Sequence, residues 1–233
     1  MRVLVMKIIQ QLYHIKETFN MKDLAIYGAG GFGREAACLV KLINKKEPTW
    51  NFIGFFDDGK QVGDSNEYGF ILGGMEALNT WDKPLSIVFA IGSPKVLFKL
   101  TSSVQNNLLE FPNIISPGTI FLDDEKVNFG KGNVIFMGCL ISCKVEIGDF
   151  NLINSMNIIG HDSIIGNYNV FMPATRISGQ VTIGNQNIFG VSSTVLQQVQ
   201  IGSHTIIGAN SLIIHRTKDN YTYMGCPATI VHY

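Results

Sequence analysis

A repeat of six residues runs from Phe129 to Lys218 and constrains the fold more than any other feature of the chain. Counted in sixes from Phe129, all fifteen first positions are large and apolar: Phe129, Ile135, Ile141, Ile147, Ile153, Ile159, Ile165, Phe171, Ile177, Ile183, Phe189, Val195, Ile201, Ile207 and Ile213. The fifth positions are small or short throughout. This pattern is typical of a parallel β-helix with three strands in each triangular coil and with first and fifth positions pointing inward. Fifteen hexads predict about five coils.

The second and sixth positions of the repeat add two expectations. The second position is glycine in eight hexads, which predicts that the backbone turns there with positive φ. Residues 18 apart stack in columns, and one outward column of sixth positions is wholly apolar: Val134, Leu152, Val170, Ile188 and Ile206. An exposed apolar stripe of this kind predicts a subunit contact, and a cyclic trimer suits a three-sided prism.

Charge is scarce in the repeat and balanced over the whole chain. Only eight charged side chains fall between Phe129 and Lys218, whereas the chain has 18 basic and 18 acidic residues among 233. A net charge of zero leaves no basic excess for phosphate backbones, so nucleic acid is not expected as a partner. The shift in composition indicates separate domains, which we place at residues 22–111 and 112–233, after an extension of residues 1–21.

The residues before the repeat have α/β patterning. A strand at Leu24–Tyr27 leads into the glycine-rich loop Gly28–Gly33 and a helix, and a second strand ends at Asp57 and Asp58. A third strand ends at Gly92 and Ser93. This arrangement predicts a Rossmann-like half domain that binds one nucleotide, because a full NAD-binding fold needs two such halves. The alternative is that Gly30, Gly31 and Gly33 only allow close packing of strand and helix.

The adjacent pair His161 and Asp162 is the candidate catalytic site of the repeat. Imidazole is the most common general base, and Asp162 is placed to orient it. Stacking puts Gly179 one coil above His161, where its N–H would face an oxyanion, and puts Lys144 one coil below Asp162 as a competing ion-pair partner. The alternative is a solvated surface pair. We expect no metal site, because His161 and His215 stand about 14 Å apart by strand spacing.

These motifs, in this order, resemble the NeuD/PglD-type sugar acetyltransferases. The resemblance rests on Tyr27–Gly33, Phe56–Asp58, Ala90–Gly92, Ile159–Asp162 and the closing Met224–Ala228. It implies a nucleotide-sugar-binding domain ahead of a left-handed β-helix, with acetyl-CoA as co-substrate, active sites at the subunit interfaces of a homotrimer, and no metal.

The resemblance also implies roles for individual residues. His161 is the general base, Asp162 supports it, and the N–H of Gly179 faces the thioester carbonyl. The cofactor-binding residues are Gly179, Val191, Gly208 and Ala209, and the substrate-binding residues are Gly30, Gly31, Phe32, Asp57, Asp58, Gly92 and Ser93. Two positions depart from the family pattern: Val170 replaces a histidine found in some relatives, and Pro94 replaces a polar residue.

The function expected from these features is transfer of acetyl from acetyl-CoA to the amino group of a nucleotide-activated amino sugar, in the synthesis of bacterial surface glycan. The alternatives are O-acetylation of a sialic-acid-like sugar and a non-catalytic trimer that binds nucleotide sugars. Four unpaired cysteines and the lack of a membrane-spanning apolar run predict a cytoplasmic protein without membrane insertion. Apolar residues at helical spacing in the first 20 residues favour an accessory helix, or else a natural start at Met21.

Overall fold

The computed structural model describes residues 21–231, so the predictions made for residues 1–20 lie outside the described residues. The amino-terminal part is a six-stranded sheet flanked by helices. Its strands are β1 Lys22–Tyr27, β2 Trp50–Phe56, β3 Ser65–Asn66, β4 Gly69–Gly73, β5 Leu85–Phe89 and β6 Leu109–Glu110. Its helices are α1 Gly31–Lys46, α2 Met75–Asn79 and α3 Pro94–Ser102.

The strand order of this sheet is β3-β4-β2-β1-β5-β6, and all neighbours are parallel except β3 and β4. The chain leaves β1 for β2 on one side, while β5 pairs with β1 on the other. The carboxyl end of β1 is therefore a topological switch point, where open α/β sheets bind their ligands.

The rest of the described chain forms a triangular prism of three parallel sheets, which we call the first, second and third sheets. The first contains β7 Ile114–Ile115, β10 Val134–Ile135, β13 Leu152–Ile153, β16 Val170–Phe171, β19 Ile188–Phe189, β22 Ile206–Ile207, β24 Thr222–Gly225 and the antiparallel β25 Ala228–Val231. The second contains β8 Ile120–Phe121, β11 Leu140–Ile141, β14 Ile158–Ile159, β17 Arg176–Ile177, β20 Thr194–Val195 and β23 Leu212–Ile213. The third contains β9 Val127–Phe129, β12 Val145–Ile147, β15 Ile164–Ile165, β18 Thr182–Ile183 and β21 Gln200–Ile201, and a short 3₁₀ helix, Asp124–Lys126, precedes β9.

Register and burial within the prism follow the hexads. Residues 18 apart pair across the coils, as in Val134 with Leu152 and Ile158 with Arg176. The fifth positions are buried, and in one column Asn133, Asn151, Asn169 and Asn187 form a ladder in which each side-chain oxygen accepts hydrogen bonds from the next asparagine. Such a ladder satisfies polar groups that would otherwise be costly in the core. The predicted fold class, an α/β half domain followed by a left-handed parallel β-helix, is confirmed.

The prediction that the second-position glycines have positive φ is wrong. Positive φ occurs at the fourth position instead, at every hexad from Gly132 to Asn210, with values between 53° and 73°. Glycine at the second position has a steric cause: a Cβ on Gly166 would lie 2.6 Å from the carbonyl oxygen of Gly184 in the next coil. The coils stack too closely at Gly166 for a side chain.

The apolar column of sixth positions is not the exposed stripe that the repeat predicted. Val134, Leu152 and Val170 are at most 1% exposed, because the amino-terminal part packs on the first sheet and shares one hydrophobic cluster with them. Phe89 contacts Phe150 edge-on at 6.4 Å between ring centroids. The residues of this column that remain more accessible are Ile188 and Ile206.

Candidate functional site

Three loops meet at the carboxyl edge of the amino-terminal sheet. They follow β1, β2 and β5 and carry the predicted substrate-binding residues, apart from Gly31 and Phe32 in the first turn of α1. The Asp57 side chain draws two of these loops together, because it accepts a hydrogen bond from the N–H of Ala29 at 2.8 Å. The N–H of Ala90 donates to the carbonyl of Tyr27 at 2.8 Å, and this hydrogen bond connects the third loop, after β5, to the end of β1.

The glycines of these loops fall into two groups. A Cβ on Gly33 would lie 1.8 Å from the carbonyl oxygen of Gly28, so Gly33 is required for α1 to pack against its own loop. A Cβ on Gly30, Gly31 or Gly92 would meet nothing within 4 Å, and none of the three has positive φ. Close packing therefore explains Gly33 but not Gly30, Gly31 or Gly92. The bare backbone of Gly30 and Gly31 faces open space at the amino terminus of α1, a common setting for phosphate groups, and that of Gly92 faces open space in the loop between β5 and α3.

Asp57 and Asp58 are held by the chain itself. Asp57 also accepts from the N–H of Gly59 at 2.9 Å, while Asp58 accepts from the Tyr27 hydroxyl at 2.5 Å and from the N–H of Met75 at 2.8 Å. Burial, followed by the hydrogen bond to Asp58, raises the pKa of Tyr27 far above its usual value. Both carboxylates thus fix the shape of the crevice, and each oxygen keeps a lone pair for a ligand.

An open cleft of about 770 Å³ extends from this crevice along α1 to the β-helix. Gly31, Arg34 and Lys41 form one wall, and Met137 and Pro173 belong to the opposite wall, on the corner between the first and second sheets. At the cleft Arg34 forms an ion pair with Glu67 at 3.2 Å, and the pKa of the exposed Glu67 is lowered by a backbone hydrogen bond and by this arginine. The sequence does not predict this cleft, because it forms only where the amino-terminal part packs against the β-helix.

Phe32 and Pro94 lie beside the crevice, and both are packed within the fold. The Phe32 ring packs against Phe136 at 5.4 Å between centroids, at the junction with the β-helix. Pro94 is buried as the first residue of α3, directly after Ser93. A proline suits this position because the N–H of the first residue of a helix has no acceptor within the helix, so proline loses no hydrogen bond there.

His161 and Asp162 lie on the corner between the second and third sheets. His161 Nδ1 is 2.8 Å from Asp162 Oδ2, and both side chains are nearly half exposed. Asp162 adopts a φ of 55°, the left-handed conformation of every fourth position, and this turns its carboxylate back to the neighbouring imidazole. The expected competitor, Lys144, forms no ion pair with Asp162 in residues 21–231, so that prediction is wrong.

Gly179 lies directly against the other ring nitrogen of His161. A Cβ on Gly179 would be 2.5 Å from His161 Nε2, so only glycine leaves the imidazole in place. Within residues 21–231 the Gly179 N–H donates no hydrogen bond. A proton acceptor therefore lies against a residue whose N–H is available as a donor, the two groups that acyl transfer uses.

The other predicted cofactor-binding residues lie on a different corner. Val191, Gly208 and Ala209 are at the corner between the first and second sheets, where Val191 is 45% exposed. One chain therefore does not bring them together with His161 and Gly179. Val170 is buried under the amino-terminal part, so no group at that position reaches a ligand in this chain.

The described residues show neither a metal site nor a membrane span. Among residues 21–231, no three His, Cys, Asp or Glu side chains are grouped so as to hold a metal ion. No helix in the same range is long and apolar enough to cross a membrane.

Comparison with known proteins finds a family match for the amino-terminal part and structural matches for most of the chain. Residues 23–104 match the family model described as the PglD N-terminal domain. No curated protein matches the chain.

Solved structures match along most of its length. The acetyltransferase domain of PglB from Neisseria gonorrhoeae, in complex with acetyl coenzyme A, is 23% identical with a TM-score of 0.80, and the match covers 91% of this chain and 100% of that one. PerB from Caulobacter crescentus, in complex with CoA and GDP-perosamine, is 24% identical with a TM-score of 0.80, covering 90% and 97%. WeeI from Acinetobacter baumannii is 25% identical with a TM-score of 0.78, covering 91% and 100%. The chain is thus similar to the NeuD/PglD-type sugar acetyltransferases in its amino-terminal domain and in its fold, which confirms the resemblance predicted from the sequence.

Proposed function

We propose that this chain is an acetyl-CoA-dependent acetyltransferase acting on the amino group of a nucleotide-activated amino sugar in surface-glycan synthesis. The observation that carries the proposal is the position of His161 Nε2 directly against Gly179, whose N–H donates no hydrogen bond within residues 21–231. The similar structures supply the choice of substrates, since PglB is described with acetyl coenzyme A and PerB with CoA and GDP-perosamine.

In the proposed reaction His161 Nε2 accepts a proton from the acceptor amine as its nitrogen bonds to the acetyl carbon. Asp162 holds the ring through Nδ1 and stabilises the imidazolium that results. The Gly179 N–H donates to the carbonyl oxygen as negative charge develops there. His161 then returns the proton to the sulfur of CoA as the carbon–sulfur bond breaks, so the products are an N-acetyl sugar and free CoA.

The acceptor is proposed to bind at the carboxyl edge of the amino-terminal sheet. Gly30, Gly31 and Gly92 leave the backbone accessible to a diphosphate, and Ser93 borders the same crevice. The cleft along α1 then has room for the sugar. We place the boundary between this domain and the β-helix at residues 111 and 112, between the end of β6 and the start of β7.

A homotrimer would complete the active site. The amino-terminal domain covers the first sheet, whereas His161 lies on the corner opposite that sheet, so the acceptor and the base of one chain stand on different sides of the prism. Three second sheets packed around an axis would bring the His161 corner of each subunit to the Val191 corner and cleft of the next. Exposed apolar residues on and beside the second sheet support this packing: Ile120, Leu122, Met137, Met156 and Ile158. We expect the trimer to act in the cytoplasm, where both substrates are made.

Thiol release from acetyl-CoA across a panel of UDP-, GDP-, dTDP- and CMP-linked sugars tests the proposal, with amino sugars and their hydroxyl counterparts in matched pairs. We expect release with an amino sugar and little with its hydroxyl counterpart. Release only with hydroxyl acceptors would instead identify an O-acetyltransferase. Nucleotide-sugar binding by calorimetry without acetyl-CoA binding at millimolar concentration would identify a non-catalytic binding protein.

A further inference from the structure

Arg176 brings a charge to a face of the prism that is otherwise uncharged. It projects outward from the second sheet, between Ile158 in the coil below and Thr194 in the coil above. Within residues 21–231 the other outward positions of this sheet are uncharged: Ile120, Leu140, Ile158, Thr194 and Leu212. Arg176 is exposed and forms no ion pair with any carboxylate of the same range. The face that we propose as the trimer contact therefore carries a cation without a counter-charge from its own chain.

A subunit contact over this face requires a partner for Arg176. An unpaired charge is costly to remove from water, whereas a hydrogen-bonded ion pair offsets much of that cost. The Arg176 Nη1 donates to the carbonyl of Ala174 at 3.0 Å. This hydrogen bond directs the guanidinium from the middle of the second sheet toward the corner of Pro173 and Val191. In the proposed trimer, that corner lies against the His161 corner of the next subunit.

Asp162 is the carboxylate on the facing corner. Its Oδ2 lies 2.8 Å from His161 Nδ1, while its Oδ1 accepts no hydrogen bond within residues 21–231. The residues stacked on Asp162 do not occupy this oxygen. Gln180, one coil above, accepts a hydrogen bond from Gln198, and Lys144, one coil below, forms no ion pair with Asp162. One carboxylate oxygen is thus available to a cation from another subunit.

Arg176 and Asp162 lie at nearly the same height along the prism. Arg176 pairs with Ile158 one coil below it, and the chain runs from Ile158 through His161 to Asp162 within that lower coil. Subunits related by a threefold axis parallel to the prism have equivalent residues at equal heights. Along the axis, Arg176 of one subunit is therefore about 5 Å, one strand spacing, above Asp162 of the next. An arginine side chain is longer than this difference.

We propose that Arg176 of each subunit pairs with Asp162 of the next, and so positions the His161 ring for proton transfer. This inference rests on the proposed function, because it concerns the base of that reaction and the trimer that completes the site. Arg176 touches neither the substrates nor the reacting atoms, so it is a positioning residue. The pair makes the orientation of the base depend on assembly, since a single chain does not bring the two side chains together.

Thiol release by Arg176→Ala, Arg176→Lys and Thr194→Ala tests the positioning role. Arg176→Ala is expected to keep the trimer mass and the KM values but to lower kcat about tenfold, the effect of losing one charge-assisted hydrogen bond. The acidic limb of its pH profile should move to higher pH, because loss of a positive charge beside Asp162 favours the imidazolium form of His161. Arg176→Lys should restore much of the turnover and the wild-type profile. Thr194→Ala, on the same face, is the matched control and should behave as wild type.

Mixed trimers show whether the pair crosses the subunit boundary. Chains with His161→Ala and chains with Arg176→Ala, coexpressed with different affinity tags, give trimers that contain both. In a cyclic trimer of either composition, about one site in three combines an intact His161 with an intact Arg176 from the next chain, so turnover should reach about a third of the wild-type value. Turnover no higher than the Arg176→Ala chains alone would supply overturns the pairing.

Sedimentation equilibrium separates this inference from the proposed function. A wild-type trimer that transfers acetyl, with a pH profile that Arg176→Ala leaves in place, overturns the pairing and leaves the proposed function standing. A wild-type chain that is monomeric and active overturns the pairing and the trimer, while acetyl transfer stands. A wild type that releases no thiol with any sugar of the panel overturns both.

Discussion

At the scale of single residues, His161 and Gly179 form one unit. The imidazole occupies the space that a side chain at position 179 would need, and the glycine N–H donates no hydrogen bond within residues 21–231. The Asp162 carboxylate holds the opposite nitrogen at 2.8 Å. The chemistry of the pair therefore depends on a residue with no functional group of its own.

Gly179→Ala should lower turnover about 10²-fold. The added methyl group would displace the imidazole, and a shift of about 1 Å in a catalytic group is enough for a loss of this size. Gly184→Ala is the matched control. A Cβ there would lie 2.5 Å from Ser203 Oγ and 2.7 Å from the carbonyl oxygen of Gly202, on another corner, so it introduces a clash at least as severe without reaching His161. Thiol release and urea unfolding measured on both variants separate the two effects. Equal loss of turnover in both would contradict the role of Gly179.

Tyr27 is the residue whose ionisation should affect stability most clearly. The pKa of Tyr27 in the folded state lies above the value of 10.0 for an unperturbed tyrosine. The neutral hydroxyl therefore contributes fully to the free energy of unfolding below pH 10, and this contribution declines as the pH rises above 10. Tyr27→Phe should reduce the free energy of unfolding by about 1–2 kcal/mol at pH 8, through loss of the hydrogen bond to Asp58. Urea unfolding from pH 8 to 11 should show a smaller decline for the variant. An equal decline would refute this account of Tyr27.

The sequence suggests candidate site residues, and the structure shows the local contacts of each. His161 and Asp162 stand out as a titratable pair within a repeat poor in charge, and Gly179 follows from stacking, because a period of 18 residues fixes which positions are neighbours. The second-position glycines were assigned the wrong cause, since crowding between coils and positive φ both favour glycine and only the backbone separates them. The internal hydrogen bonds of Asp57 and Asp58 depend on loop shape, which no sequence pattern specifies.

At the scale of elements, the asparagine ladder connects the coils inside the prism. Asn169 donates to Asn151 and to the carbonyl of Gly184, and accepts from both the N–H and the side-chain amide of Asn187. The rung is fully buried, so a lost partner is not replaced by water.

Asn169→Ala should lower the free energy of unfolding by about 2–5 kcal/mol, because it leaves donors of Asn187 buried without acceptors. Asn167→Ala is the comparison: the Asn167 side chain is only part-buried and accepts from the N–H of Asp149, so water can replace part of the loss and the cost should be about 1 kcal/mol. Urea unfolding of the two variants provides the comparison. A similar, small cost for both would mean that the ladder contributes little.

The coils themselves were predictable because each hexad repeats one local rule. Strands β9 to β23 correspond one for one to the fifteen hexads. The coil before them, with β7 and β8, has irregular spacing and was missed by the repeat. Its strands form through pairing with the regular coil above, as in Ile114 with Val134.

At the scale of the whole molecule, docking of the amino-terminal domain changes which surface is free. The domain covers the apolar column at Val134, Leu152 and Val170, so this part of the predicted subunit contact is an internal interface. Sequence alone could not distinguish the two uses, because both require the same outward apolar residues. The apolar surface left exposed beside the second sheet is the proposed trimer contact.

Ile120→Glu should therefore convert the trimer to smaller species, since a carboxylate would be buried against the neighbouring subunits. Ile164→Glu is the control: Ile164 is 48% exposed on the third sheet and Ile120 is 55% exposed on the second. Sedimentation equilibrium gives the mass of each variant. Trimers of undiminished stability for Ile120→Glu would exclude this packing.

The most direct test of the whole account is the turnover of His161→Ala, measured as thiol release from acetyl-CoA with the amino sugar that the wild type prefers. His204→Ala, a histidine on another corner, serves as the control. We expect the turnover of His161→Ala to fall about 10²–10⁴-fold while its fold and its binding of acetyl-CoA stay intact. The turnover of His204→Ala should change little. Turnover close to wild type in His161→Ala would contradict the mechanism proposed for this chain.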